Sequence, residues 1–61
     1  MTLEEAKKVK RYYVLYNRAY DCDFVVDKVK EIGDDIKFLG YFVMGNVNTW
    51  DTVSYMDLII K

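Results

Sequence analysis

The chain opens on Thr2-Leu3-Glu4-Glu5, which has the form of a capping box. The Thr2 hydroxyl can accept from the third helical residue while the Glu5 carboxylate reaches back to the cap. Beyond it Ala6, Val9, Tyr13, Tyr16 and Tyr20 recur at three- and four-residue spacing. Glu4, Lys7, Lys8, Arg11 and Arg18 cluster on the other side of a helical wheel. This spacing predicts a helix over residues 3–19. The run Tyr12-Tyr13-Val14-Leu15-Tyr16 competes with it, because these residues favour strands and Leu15 falls on the polar side of the wheel. A strand over residues 11–17 is the alternative.

Asp21 and Asp23 can each cap a second helix, in which Phe24, Val25, Val29 and Ile32 supply an apolar face and Gly33 a C-terminal stop. After an Asp34-Asp35 turn, Ile36 to Met44 is rich in branched and aromatic residues. Gly45-Asn46 can form a two-residue hairpin turn, and Val47 to Tyr55 or beyond resumes strand character. The predicted fold is therefore α+β, two N-terminal helices packed on a C-terminal β-hairpin within a single domain. A β-α-β-β arrangement is the alternative if residues 11–17 are a strand.

A turn at Gly45-Asn46 fixes the hairpin register, setting Met44 opposite Val47, Tyr41 opposite Trp50 and Phe38 opposite Val53. Ile36, Phe38, Phe42, Met44, Val47, Val53 and Tyr55 then share one face, and Leu39, Tyr41, Val43 and Trp50 the other. Both faces are apolar. If the helices cover the first, the second is left for a partner, unless the first segment or the C-terminal Met56-Asp57-Leu58-Ile59-Ile60 folds over it.

Composition narrows what can hold such a fold together. A chain of 61 residues buries only about 60% of the surface its unfolded form exposes. Small domains commonly add a disulfide, a metal or self-association. Cys22 is the lone cysteine and there is no histidine, so neither an internal disulfide nor a four-ligand zinc site is expected. Apolar residues make up 52% of the chain and aromatic ones 16%, which argues against disorder and for apolar surplus at the surface. The acidic start shows no secretory signal, no run is long enough to span a bilayer, and the lone thiol fits a reducing compartment. A cytoplasmic protein with no membrane association is the expectation. Phe, Tyr, Ile, Asn and Lys are abundant while proline is absent, a bias towards AT-rich codons that fits a phage or mobile element.

Candidate chemistry is sparse. Without histidine the usual base for a Ser or Cys nucleophile is missing, Ser54 sits in a predicted strand, and Cys22 lies between Asp21 and Asp23, which disfavour a thiolate. Asp23, Asp27 and Glu31 recur every four residues, an acidic ridge on a helix rather than a calcium loop. Gly33, Gly40 and Gly45 are isolated, so no phosphate loop is present. No enzyme activity and no cofactor or metal are expected.

Charge is unevenly spread: residues 1–20 carry five Lys or Arg against two Glu, and residues 21–61 carry four Lys against eight acids. Lys7, Lys8, Arg11 and Arg18, interleaved with Tyr12 and Tyr16, could form a basic aromatic face for nucleic acid. The sequence pI of 5.2 stands against this, since such binders are usually basic, with a domain pI above about 9. The leading expectation is a protein-binding module, such as a phage-type inhibitor or antitoxin-like factor, that uses Leu39, Tyr41, Val43 and Trp50. The alternative is a small homodimeric regulator that binds nucleic acid through the first segment.

Overall fold

The structure, a computed structural model, describes residues 1–61. A short helix α1 (Leu3–Lys7) precedes four strands, β1 (Val14–Asn17), β2 (Cys22–Ile32), β3 (Asp35–Met44) and β4 (Val47–Ser54), and a 3-10 turn at Tyr55–Asp57 follows. The strands form one sheet in the order β1-β2-β3-β4, every neighbouring pair antiparallel. The protein is thus mostly β. The expected pair of N-terminal helices on a hairpin is overturned, and so is the β-α-β-β alternative, because the segment taken for the second helix is the longest strand.

The capping box is present as read, with the Thr2 hydroxyl accepting from Glu5 N–H at 3.1 Å and the Glu5 carboxylate accepting from Thr2 N–H at 2.8 Å. The helix it starts ends at Lys7 instead of running to residue 19. Lys8, Lys10 and Arg11 would favour its continuation, but the aromatic, β-branched run from Tyr12 pairs with β2 instead. Tyr12 N–H donates to the Val26 carbonyl, Val26 N–H donates to the Tyr13 carbonyl, and Val14 to Asn17 continue as β1.

The strand character of β2 is masked in the sequence because its two-residue alternation is interrupted. Cys22, Phe24 and Val26 point to one face while Asp23 and Val25 point to the other. The register then shifts between Val26 and Lys28, leaving Asp27 as the extra residue of a β-bulge. Gly33 is not a helix stop but the first residue of a tight turn. It takes φ 61° between Ile32 and Asp35, and Gly45 does the same between Met44 and Val47. Positive φ at the first of two turn residues is what a type II′ hairpin requires, and glycine supplies it without steric cost. The β3–β4 register is the one read from the sequence, with Met44 opposite Val47, Tyr41 opposite Trp50 and Phe38 opposite Val53.

The core lies on one side of this sheet. Leu15, Phe24, Val26, Ile36, Phe38, Phe42 and Val53 face inward and are covered by Ala6 of α1, by Val9 and by Leu58. The C-terminal residues lie alongside β1, where Tyr16 and Ile59 exchange backbone hydrogen bonds of 3.0 and 2.9 Å. Asn17, buried at the end of β1, accepts from Tyr20 N–H and donates to the Asp57 carbonyl, joining the β1–β2 turn to the 3-10 turn.

Gly40 sits on the inner face of β3, and a methyl group there would overlap the Val25 carbonyl oxygen and approach two ring atoms of Phe24 at 3.0 Å. Backbone cannot yield as a flexible side chain can. Gly40→Ala should lower stability by more than about 2 kcal/mol in urea unfolding. A variant within about 0.5 kcal/mol of the wild type would show that β2 and β3 do not approach this closely.

Candidate binding face

The face of the sheet away from the core carries a row of apolar residues that crosses every strand. Val14 lies opposite Val25, Val25 opposite Tyr41, and Tyr41 opposite Trp50. Leu39 and Val43 extend the patch along β3 on either side of Tyr41. Tyr41 and Trp50 are in ring contact, 5.1 Å between centroids at an interplanar angle of 54°. That contact leaves Tyr41 half-buried, while Trp50 stays 58% exposed and Val14 51% exposed. No element of the chain packs over this row.

Polar residues border the patch unequally. On one side the register gives Tyr16, Asp23, Val43 and Asn48; on the other Lys28, Leu39 and Thr52, and beyond them Lys30, Lys37 and Ser54. Lys30 stands directly opposite Lys37, an arrangement that costs stability through like-charge repulsion. Neither Lys28, Lys30 nor Lys37 is in an ion pair; the two salt bridges are Arg11–Asp27 at 3.1 Å and Lys61–Asp23 at 3.0 Å. The outer face is therefore apolar in the middle and basic on one flank. The acidic ridge of Asp23, Asp27 and Glu31 does not exist, because those residues lie on a bulged strand. Asp23 faces outward with Lys61, Asp27 sits in the bulge with Arg11, and Glu31 lies opposite the inward Ile36.

The sequence-derived binding residues Leu39, Tyr41, Val43 and Trp50 come together on this face. The basic residues of the first segment do not share one element. Lys7 and Lys8 lie at the end of α1, Arg11 in the following loop and Arg18 in the β1–β2 turn. The Arg11 guanidinium is already engaged, bonded to Asp27 and stacked 4.8 Å from the centroid of Tyr12. Sequence reasoning missed Val14, Val25 and the flanking lysines, since all but Lys37 were placed on helices. Reading residues 22–32 with a period of two would have put Val25 beside Tyr41.

On the inner side, a cleft of about 350 Å³ lies between the β1–β2 turn and β4, with Asn17, Tyr20, Phe42, Asp51, Ser54 and Asp57 among its lining residues. Its Ser54 hydroxyl accepts from Met56 N–H and starts the 3-10 turn, a local structural role. Tyr16 donates to the Asp21 carboxylate, and this bond holds its phenol above the usual range. Desolvation, reinforced by Asp23 and Asp21, pushes the Cys22 thiol up as well. No group of three or more His, Cys, Asp or Glu side chains is placed to hold a metal ion. No helix is long and apolar enough to cross a membrane.

Comparison with protein-family models, with curated proteins and with solved structures found no match.

A raised thiol pKa leaves little thiolate at neutral pH. The alkylation rate of Cys22 should therefore climb at higher pH than that of a free cysteine peptide. A profile displaced to lower pH would contradict the burial and the carboxylates as the dominant local influences.

Proposed function

We propose that this protein is a binding module that acts by occupying the surface of another protein, without catalysis, through the outer face of its sheet. The observation that carries this reading is the row Val14–Val25–Tyr41–Trp50, which spans all four strands and has nothing of the chain above it. A sheet with an apolar face normally buries that face against another layer. Tyr and Trp bring large rigid contact area together with one polar handle, which is why they concentrate the binding energy of interfaces. The flank of Lys28, Lys30 and Lys37 gives the face a direction, so that a partner with carboxylates beside its apolar patch docks in one orientation. Inhibition by steric blockage, of the phage-inhibitor or antitoxin kind, is the job such a surface suits.

Nucleic acid is the weaker reading. Base stacking needs a free ring face. Here the basic residues of the first segment, Lys7, Lys8, Arg11 and Arg18, are spread over α1, the following loop and the β1–β2 turn, and the ring of Tyr12 is already covered by the Arg11 guanidinium.

Trp50→Ser and Tyr41→Ser remove contact area from the outer face and leave the inner core intact. Both variants should keep the wild-type circular dichroism. Each should lose at least about tenfold in affinity for the protein that the tagged wild type captures stoichiometrically from its native host. Undiminished capture by both folded variants would discard this face.

A further inference from the structure

The two edges of the sheet are treated differently. On the β1 side the Tyr16 backbone exchanges both hydrogen bonds with Ile59, and the part of β2 that runs past β1 carries Lys28 and Lys30. The β4 edge is open along eight residues, Val47-Asn48-Thr49-Trp50-Asp51-Thr52-Val53-Ser54. It lacks three of the usual protections against strand addition, having no proline, no lysine and no bulge in its register with β3. Its one charged residue is Asp51.

The register fixes which backbone groups are free. The pair closing a two-residue hairpin, Met44 and Val47, is hydrogen-bonded, and hydrogen-bonded pairs then alternate, so Thr49, Asp51 and Val53 bond to β3. The N–H and C=O groups of Asn48, Trp50 and Thr52 point away from it. Thr52 bears this out, because its N–H finds no strand partner and is bonded to the Asp51 carboxylate at 2.7 Å.

We infer that β4 pairs antiparallel with β4 of a second copy about a two-fold axis at Trp50, joining two sheets into one of eight strands. In this register Trp50 exchanges both backbone hydrogen bonds with its counterpart, and Asn48 pairs with Thr52 on each side, the Thr52 N–H leaving the Asp51 carboxylate for the Asn48 carbonyl. The whole span from Val47 to Val53 is matched. Asp51 faces Thr49 of the other copy. Sliding the strands one step towards Ser54 would set Asp51 opposite its own counterpart, where like charges repel; sliding the other way shortens the overlap. Charge and length therefore select one self-complementary register, as an isologous contact requires. The two rows from Val14 to Trp50 become continuous across the dimer, with the tryptophans adjacent at its centre. The occupant of the edge is a second copy, whereas the outer face of each copy stays free.

Sedimentation equilibrium of the whole chain over a wide concentration range tests this. The wild type should reach twice its mass of 7.3 kDa. Thr52→Pro removes a donor that β3 does not use, a position where an edge strand tolerates proline, and should be monomeric with an unchanged sheet signal. Thr49→Asp sets a carboxylate opposite Asp51 of the other copy on both sides and should weaken self-association roughly tenfold or more. Thr49→Lys sets a cation there and should strengthen it. A wild type that stays at the single mass overturns the inference. So does a dimer indifferent to Thr52→Pro, or one that Thr49→Asp and Thr49→Lys shift in the same direction.

Discussion

Where a side chain at position 40 would have its first carbon, the structure has the Val25 carbonyl oxygen and the ring of Phe24. β2 and β3 hold their approach only because Gly40 has no such carbon. The consequence runs outward from that contact. Gly40 is opposite Val26, the last residue of β2 before the bulge, so the closest approach and the register shift are neighbours. With unbroken alternation after Val26, Lys28 and Lys30 would point into the core and Val29 would point out. The extra residue Asp27 reverses this, placing Val29 opposite the buried Phe38 and both lysines on the outer face opposite Leu39 and Lys37. The bulge thereby determines the basic flank of the proposed binding face.

Burial in this fold is one-sided. The helix, the loop through Val9 and the C-terminal segment with Leu58 all cover the inner face, and the C-terminal segment also pairs with β1 at Tyr16. The outer face and the β4 edge receive nothing. They are different kinds of surface. The face offers side chains, apolar in the middle and cationic at one flank, which suits a partner of complementary pattern. The edge offers backbone donors and acceptors in a self-matching order, which suits another copy of the same strand. Trp50 belongs to both, its ring on the face and its peptide groups on the edge.

The last hairpin was legible in the sequence because Gly45-Asn46 marks its turn and the flanking strands alternate without interruption. Its register and its two faces followed, and with them the grouping of Leu39, Tyr41, Val43 and Trp50. The capping box was legible too, since it depends on four consecutive residues. What failed was the reading of periodicity further up the chain. Tyr13, Tyr16 and Tyr20 match a helical spacing by coincidence: Tyr13 leads into β1, Tyr16 pairs within it and Tyr20 lies in the turn that follows. In β2 the bulge at Asp27 breaks the two-residue period, and Gly33 serves equally as a helix stop or as a II′ turn residue. Those two ambiguities together turned the longest strand into a helix on paper. They also hid Val25, Lys28 and Lys30 from the candidate site.

The approach of β2 to β3 is the central claim, and nuclear magnetic resonance reads it residue by residue. The structure requires strong dipolar contacts between the Gly40 α-protons and the Phe24 ring, with cross-strand contacts pairing Val26 with Gly40 and then Lys28 with Leu39. Sequential helical contacts through residues 22–32, or cross-strand contacts that pass Asp27 without a register step, would contradict the account at its foundation.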